Sequence, residues 1–372
     1  MIYLATFAIA TILAYIGGTR RSVLLMIASA LFLSALAGAR SDDMGVDIGV
    51  YVKPEYYAAQ VSSLGDYTIR YLGSVSSNVV YHVYSWLAVN AFKDFNIYLL
   101  FLSLAQILPT YYSLYKLYPK YSWVGVLTFE CVFYCFGFNI VKQCIAMSLL
   151  LVAYCHLKNN KPIVSLFCFA MAFGCHEMAI IGIVIYPVYY LMGEHSLQTM
   201  QTRAAGSLRL LGLISFVFVM FAIFIGGRTL LVWLVESTGD YGYQVRNMGS
   251  GDVKITYLIY VSILVVCYVY FHISKMDYAS VRAEVFLSVM GGIAMQLSVI
   301  TPQAYRVGMF LLIFSVIAWP ALCSNCASRN NERSLCIVSA GVNVAFFVYV
   351  YLISGAEGLF PYRSDLLPFF QF

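Results

Sequence analysis

Hydrophobic positions in this chain come in long unbroken runs, and polar positions fall in short islands between them. The first run covers 2–18, the second follows at once over 22–39, and the next polar island, Arg40 to Tyr51, reads RSDDMGVDIGVY. A helix rises about 1.5 Å per residue, so roughly 20 apolar residues cross the hydrocarbon core of a bilayer. Runs near that length, with shorter ones accepted where neighbouring helices cover their ends, predict about twelve spans. They lie near 2–18, 22–39, 95–115, 122–138, 143–157, 162–175, 178–192, 208–227, 255–273, 285–301, 307–323 and 335–354. Segment 79–92, VVYHVYSWLAVNAF, has a polar edge at His82, Ser85 and Asn90 and is too short to cross. It is expected as an amphipathic or re-entrant helix at the surface. The fold class is therefore all-α, a polytopic transmembrane bundle in which 1–372 forms one integral-membrane domain.

Composition agrees with the pattern. The chain has 372 residues, of which 62% are hydrophobic and 10% charged, against about 25% charged in a soluble domain. The first run has no basic segment before it and ends in GGTRR without a small-residue cleavage site, so it reads as a retained span and not as a signal peptide. Most of the ten cysteines sit inside apolar runs, where cysteine behaves as a small hydrophobe; no disulfide framework follows. The Cys323-x-x-Cys326 pair has no second pair or nearby histidine, so no metal site is implied. The net charge of +5 is spread singly over the loops, which argues against a nucleic-acid partner. Metalloprotease, P-loop, dinucleotide-fold and serine-hydrolase signatures are all missing, and no cofactor is expected.

The basic residues report sidedness instead. Arg20/Arg21, Lys116/Lys120, Lys158/Lys161, Arg203/Arg209, Lys275/Arg282 and Arg329/Arg333 place two cations in each of six short connections on one face. The positive-inside rule makes that face cytoplasmic. The opposite face carries 40–94 and 228–254, the two main outward loops, with the tips near Lys142, His176 and Arg306 and the tail 355–372. Both termini then lie outside.

That outer face collects Arg40, Asp43, Asp47, Tyr51, Lys142, Gln143, His176, Glu177, Arg246, Arg306, Tyr362 and Arg363 from six separate places. A cation at the mouth of a span is less costly than one at the bilayer centre, where the cost is about 2.5–3.5 kcal/mol or more. Taken singly, each such residue has a bland reading as a snorkelling anchor at a helix end, and a lone histidine in the position of His176 is more often a hydrogen-bonded structural residue. Taken together, the groups suit a lipid-linked diphosphate. Each cation about 4 Å from a phosphate oxygen is worth roughly 4 kcal/mol at an effective dielectric near 20, before desolvation. If the diphosphate is also a leaving group, the same cations stabilise charge that grows in the transition state. A nearby carboxylate or imidazole would deprotonate the attacking hydroxyl.

The order of these motifs resembles the EpsG-type polysaccharide polymerases, relatives of the bacterial Wzy-class O-antigen polymerases. An early pattern like R-Y-x-V-G-T-D-x-x-x-Y is similar to Arg40, Gly45, Asp47 and Tyr51; an R-Q pair opening a helix is similar to Lys142-Gln143. A histidine after an apolar run, a late arginine and a final Pro-Tyr look like His176, Arg306 and Pro361-Tyr362. The chain departs from the pattern in a one-residue longer interval from Arg40 to Gly45, in lysine for arginine at 142, and near Asn78, where the family commonly has glutamate. Lysine keeps the charge but not the planar fork.

The resemblance implies a GT-C-like polymerase architecture and an enzyme of the bacterial inner membrane with a periplasmic active face. Such an enzyme transfers a growing chain from undecaprenyl diphosphate to the non-reducing end of a new lipid-linked repeat unit. Donor, acceptor and the lipid bilayer are its partners, with a chain-length regulator as a further one. Arg40, Lys142, Arg306 and Arg246 would hold the diphosphates, Tyr51, Gln143 and Tyr362 would line the diphosphate or glycan path, and Asp47 or His176 would orient or deprotonate the acceptor. Two rival readings are another glycosyltransferase or ligase using the same donors, and a lipid-glycan flippase or transporter. The latter would place charges at the midplane and often repeat its halves; neither feature is present in the sequence.

Overall fold

The computed structural model describes residues 2–45, 48–72, 78–192, 251–273, 281–326 and 328–367, and among them there is no strand. Asp47, Arg246, the expected span 208–227 and most of the loop 228–254 lie outside the described residues. Among the described residues five helices are long and apolar enough to cross a membrane: Ile2–Thr19, Phe95–Leu117, Val141–Lys158, Pro302–Ser324 and Arg329–Ile353. Val23–Gly38, Pro162–Cys175, Glu177–Met192 and Ile255–Tyr270 are shorter apolar helices. The protein is thus a multi-pass helical membrane protein.

By packing, the chain divides into two compact units, Met1–Ile183 with Trp319–Phe372, and Val184–Ala318. In the first unit α1 (Ile2–Thr19) and α2 (Val23–Gly38) form an antiparallel hairpin, and Ser22 caps α2 by accepting from the Leu25 amide. The buried face of α1 carries Ala10, Ala14, Gly17 and Gly18. Small residues there let backbones approach, as membrane interfaces require. Hydroxyls then tie helix to helix: Ser29 Oγ donates to Ala10 O at 2.7 Å, and Thr11 Oγ1 donates to Glu130 Oε2 at 2.7 Å.

Three short helices follow, α3 (Lys53–Val61), α4 (Leu64–Leu72) and α5 (Val79–Phe92). They pack on one another, and α5 also packs against α6 (Phe95–Leu117) and α9 (Pro162–Cys175). Segment 79–92 is therefore a separate helix, as its length requires. The expected run 122–138 is broken: α7 (Ser122–Val132) ends six residues early, and Cys135–Phe138 forms a 3-10 turn before α8 (Val141–Lys158). Every residue from Cys131 to Val141 is buried, and irregular backbone at such depth is tolerated when protein covers it. The run 178–192 likewise begins as a 3-10 segment, Glu177–Val184, before α10 (Ile185–Met192).

The second unit contains α10, α11 (Ile255–Ile273), α12 (Arg282–Ala294) and α13 (Tyr305–Leu312). The chain returns to the first unit through α14 (Ser315–Ser324) and α15 (Arg329–Phe347).

The two ends of the first unit differ in chemistry. At one end Tyr115 Oη donates to Arg21 O at 2.7 Å, Lys158 Nζ donates to Tyr118 Oη at 2.7 Å, and Lys120 pairs with Glu332 at 2.8 Å. That end therefore gathers Arg20, Arg21, Lys116, Lys120, Lys158, Lys161, Arg329 and Arg333. The opposite ends of the same helices meet α3 to α5 and the tail.

Candidate functional site

Two residues past the last turn of α2, the backbone of Arg40 is drawn onto α6, where Asn96 Nδ2 donates to Gly38 O at 2.7 Å and to Arg40 O at 3.3 Å. The side chain turns inward and is 2% exposed. Its guanidinium lies 4.2 Å from the centre of the Phe138 ring. The Nε makes no hydrogen bond, and no carboxylate among the described residues pairs with the guanidinium. Burial pulls Arg40 down to about 10, with Tyr134, Tyr3 and Tyr362 pulling the other way, so it stays charged at neutral pH. The three tyrosines spend their hydroxyl protons on carbonyls: Tyr134 on Leu33 O and Tyr362 on Leu36 O, both at 2.8 Å, and Tyr3 on Leu359 O at 3.3 Å. Tyr362 is thus a buried wall of this chamber.

The loop after Arg40 is clasped by the tail. Ser41 N donates to Arg363 O at 2.9 Å, Ser364 Oγ donates to Ala39 O, and Arg363 pairs with Asp43 at 2.7 Å. Asp42 pairs with Lys53. These last two pairs are exposed, and such pairs contribute only about 0–1 kcal/mol each. Gly45, at φ +107°, closes the loop onto the turn before α8; a Cβ there would stand 2.4 Å from Phe138 O. Asn139 in that turn donates to Glu357 O at 3.1 Å and to its carboxylate.

Lys142 opens α8 on the same rim. Its Nζ is 2.5 Å from Glu55 Oε1 and 4.8 Å from the centre of the Tyr81 ring. Glu55 comes from the first turn of α3 and is 3% exposed, and its Oε2 is buried without a hydrogen bond. His82, one residue on from Tyr81, is also buried; burial first and the charge of Lys142 second hold its imidazole down to about 3. His82 is therefore neutral at physiological pH, and Lys142 is the cation here. Gln143 is buried, with its Nε2 4.0 Å from Met147 Sδ.

His176 follows α9 in an extended conformation. Its Nδ1 accepts from the Met178 amide at 3.2 Å and stands 4.0 Å from the Glu177 carboxylate; the neutral ring then carries its proton on Nε2. Asn78, with its amide turned to satisfy its neighbours, donates to Glu177 Oε2 at 3.0 Å and to Cys175 O at 3.3 Å. Asn78 immediately precedes α5, whose first turn supplies Tyr81 and His82. Through that turn the His176 tip and Lys142 share one rim.

Of the residues expected from sequence, the fold brings Arg40, Lys142, His176 and Tyr362 to one end of the first unit. Gln143 is buried beside Met147, and Tyr51 is 54% exposed. Arg306 starts α13 in the second unit and is half-buried, next to Tyr305, whose ring lies 5.6 Å from Lys254 Nζ. Sequence reading missed Glu55, and used His82 only as the polar edge of a surface helix. The Lys-Pro-Glu start of α3 makes Glu55 resemble an ordinary first-turn acid beside the helix dipole, and nothing local in the sequence announces its partner 87 residues away.

A family model described as the EpsG family matches residues 23–364, nearly the whole chain. No curated protein and no solved structure matches.

Proposed function

Since the chain belongs to the EpsG family, a family of Wzy-type polymerases, we propose that it joins oligosaccharide repeat units carried on undecaprenyl diphosphate. The reaction takes place at the periplasmic face of the bacterial inner membrane, in a twelve-span bundle of GT-C-like architecture. Arg40 carries this reading. A buried, charged guanidinium with no carboxylate against it among the described residues is costly to keep unless an anion comes to it. A diphosphate supplies that anion, and the guanidinium fork matches phosphate oxygens.

Lys142 adds a second cation on the same rim, while Arg306 and Arg246 are assigned to the diphosphates as further cations. In the transition state the bond from the anomeric carbon to the diphosphate lengthens, and negative charge grows on the leaving oxygen. Cations already in place stabilise that charge without reorganising. His176, with its Nε2 proton, and Asp47 orient the acceptor sugar, and Tyr51 and Tyr362 lie along the glycan path. A chain-length regulator is the expected protein partner.

The test is electrophoresis of surface polysaccharide from a deletion strain. Repeat units are made elsewhere, so the strain should carry glycan capped with one unit in place of a ladder of lengths. An unchanged ladder would remove the polymerase reading.

A further inference from the structure

We propose that Glu55 is the general base of this reaction, masked by Lys142 until a diphosphate draws the lysine away. The proposal rests on the polymerase reading above. It begins with an asymmetry in exposure: the Lys142 side chain is 22% accessible and that of Glu55 only 4%. Anything entering from the rim meets the cation first, with the carboxylate behind it.

The other described acids of this rim are built differently. Asp42 and Asp43 hold their partners at the surface, with side chains 48% and 53% accessible, Glu177 is 37% accessible and accepts from Asn78, and Glu357 is taken by Asn139. Glu55 alone among these five combines near-complete burial with an oxygen, Oε2, that makes no hydrogen bond. Leaving a buried acceptor unsatisfied costs free energy, and an ion pair in such a place adds little net stability. The arrangement is poor as a structural fastener and well suited to a pair that opens.

A diphosphate competes for Lys142 directly, because it offers more negative charge than one carboxylate. When Lys142 Nζ turns to it, the buried Glu55 carboxylate loses its counter-ion and its oxygens are free to accept from the acceptor hydroxyl. His82 does not replace the lysine, since its imidazole is neutral there. Nor does His176 serve as base: Nδ1 already accepts from Met178 and Nε2 carries the proton. The step then balances. The acceptor oxygen bonds to the anomeric carbon, the bond from that carbon to the diphosphate breaks with its electron pair leaving on the diphosphate, and the hydroxyl proton passes to Glu55. Departure of the lipid diphosphate returns Lys142 to the carboxylate and the proton to water. Base catalysis is thereby confined to sites already loaded with donor, which limits attack by stray hydroxyls.

The experiment uses the full chain, purified in lipid nanodiscs, with lipid-linked repeat units for turnover and undecaprenyl diphosphate alone for binding. Glu55→Gln keeps the shape and can still accept from Lys142, but it frees the lysine's charge and cannot act as a base. It should bind undecaprenyl diphosphate several-fold more tightly than wild type and lose kcat by about 10²–10⁴-fold, the usual worth of a general base. Turnover within threefold of wild type overturns the proposal, as does loss of binding together with turnover, which would make Glu55 a structural support of Lys142. If Glu55→Gln does not fold, Glu55→Asp takes its place: a lower kcat at unchanged KM supports the base, and a wild-type kcat overturns it. Failure of the wild type to polymerise lipid-linked units would instead sink the polymerase reading itself.

Discussion

Arg40 shows how far a single residue can be read from sequence. Its charge beside an apolar run marked it as a group with a task, but its position 4.2 Å over the Phe138 ring, walled by three tyrosines, comes only with the fold. Composition alone does not rank Asp42 and Asp43 against Asp47, which only the family resemblance prefers; the structure gives Asp42 and Asp43 the partners Lys53 and Arg363 at the surface. A definite expectation follows for Arg40→Met, which keeps the stem and removes the charge. An unpaired buried charge is costly to keep, and an apolar side chain of similar volume needs no counter-ion in its place. Polymer should vanish while thermal stability in detergent holds or rises. Arg40→Lys should recover only part of the activity, since the fork is lost. A drop in melting temperature with Arg40→Met, or full activity with Arg40→Lys, would mark Arg40 as a structural anchor.

The elements were legible wherever periodicity and length speak locally. The apolar runs at 2–18 and 22–39 became α1 and α2, and 79–92 became a short helix of its own. What did not show was where a run breaks. The turn at 135–138 is apolar throughout, and burial by neighbouring helices lets it leave the α-helical path. That turn matters because Gly45 rests on it. A Cβ at 45 would meet Phe138 O at 2.4 Å in a backbone with φ +107°, a conformation that costs a side chain about 1–3 kcal/mol. Gly45→Ala should therefore loosen the loop over Arg40, lowering melting temperature modestly and shortening or abolishing the polysaccharide ladder, with the protein still inserted in the membrane. A wild-type ladder from Gly45→Ala would show that the loop does not need this seat.

On the scale of the molecule, four of the six cation pairs expected on one face, Arg20/Arg21, Lys116/Lys120, Lys158/Lys161 and Arg329/Arg333, share one end of the first unit, while Arg40, Lys142, His176 and Tyr362 share the other; Arg203, Arg209 and Lys275 lie outside the described residues. The helix α6 separates them: its 23 residues span about 35 Å, enough to cross a bilayer. The positive-inside rule predicts that the cationic end faces the cytoplasm. On a cysteine-free background, Ala91→Cys should react with a membrane-impermeant maleimide in cells whose outer membrane alone is opened. Lys116→Cys should react only after the inner membrane is permeabilised. The reverse pattern would invert the protein and move the proposed site to the cytoplasm.

The sequence by itself determined that this chain is a helical membrane protein, where most of its helices run, and that its two faces carry different charges. Those properties are sums over neighbouring residues set against a bilayer of nearly constant thickness, so a local reading captures them. Tertiary structure alone decided which polar groups meet. Glu55 finds Lys142 across 87 residues, and Tyr362 reaches the end of α2 across 326. Such meetings depend on which way each helix turns its side chains and how closely small residues let backbones approach. Hydropathy, which records how apolar a segment is and not where its side chains point, carries no trace of them.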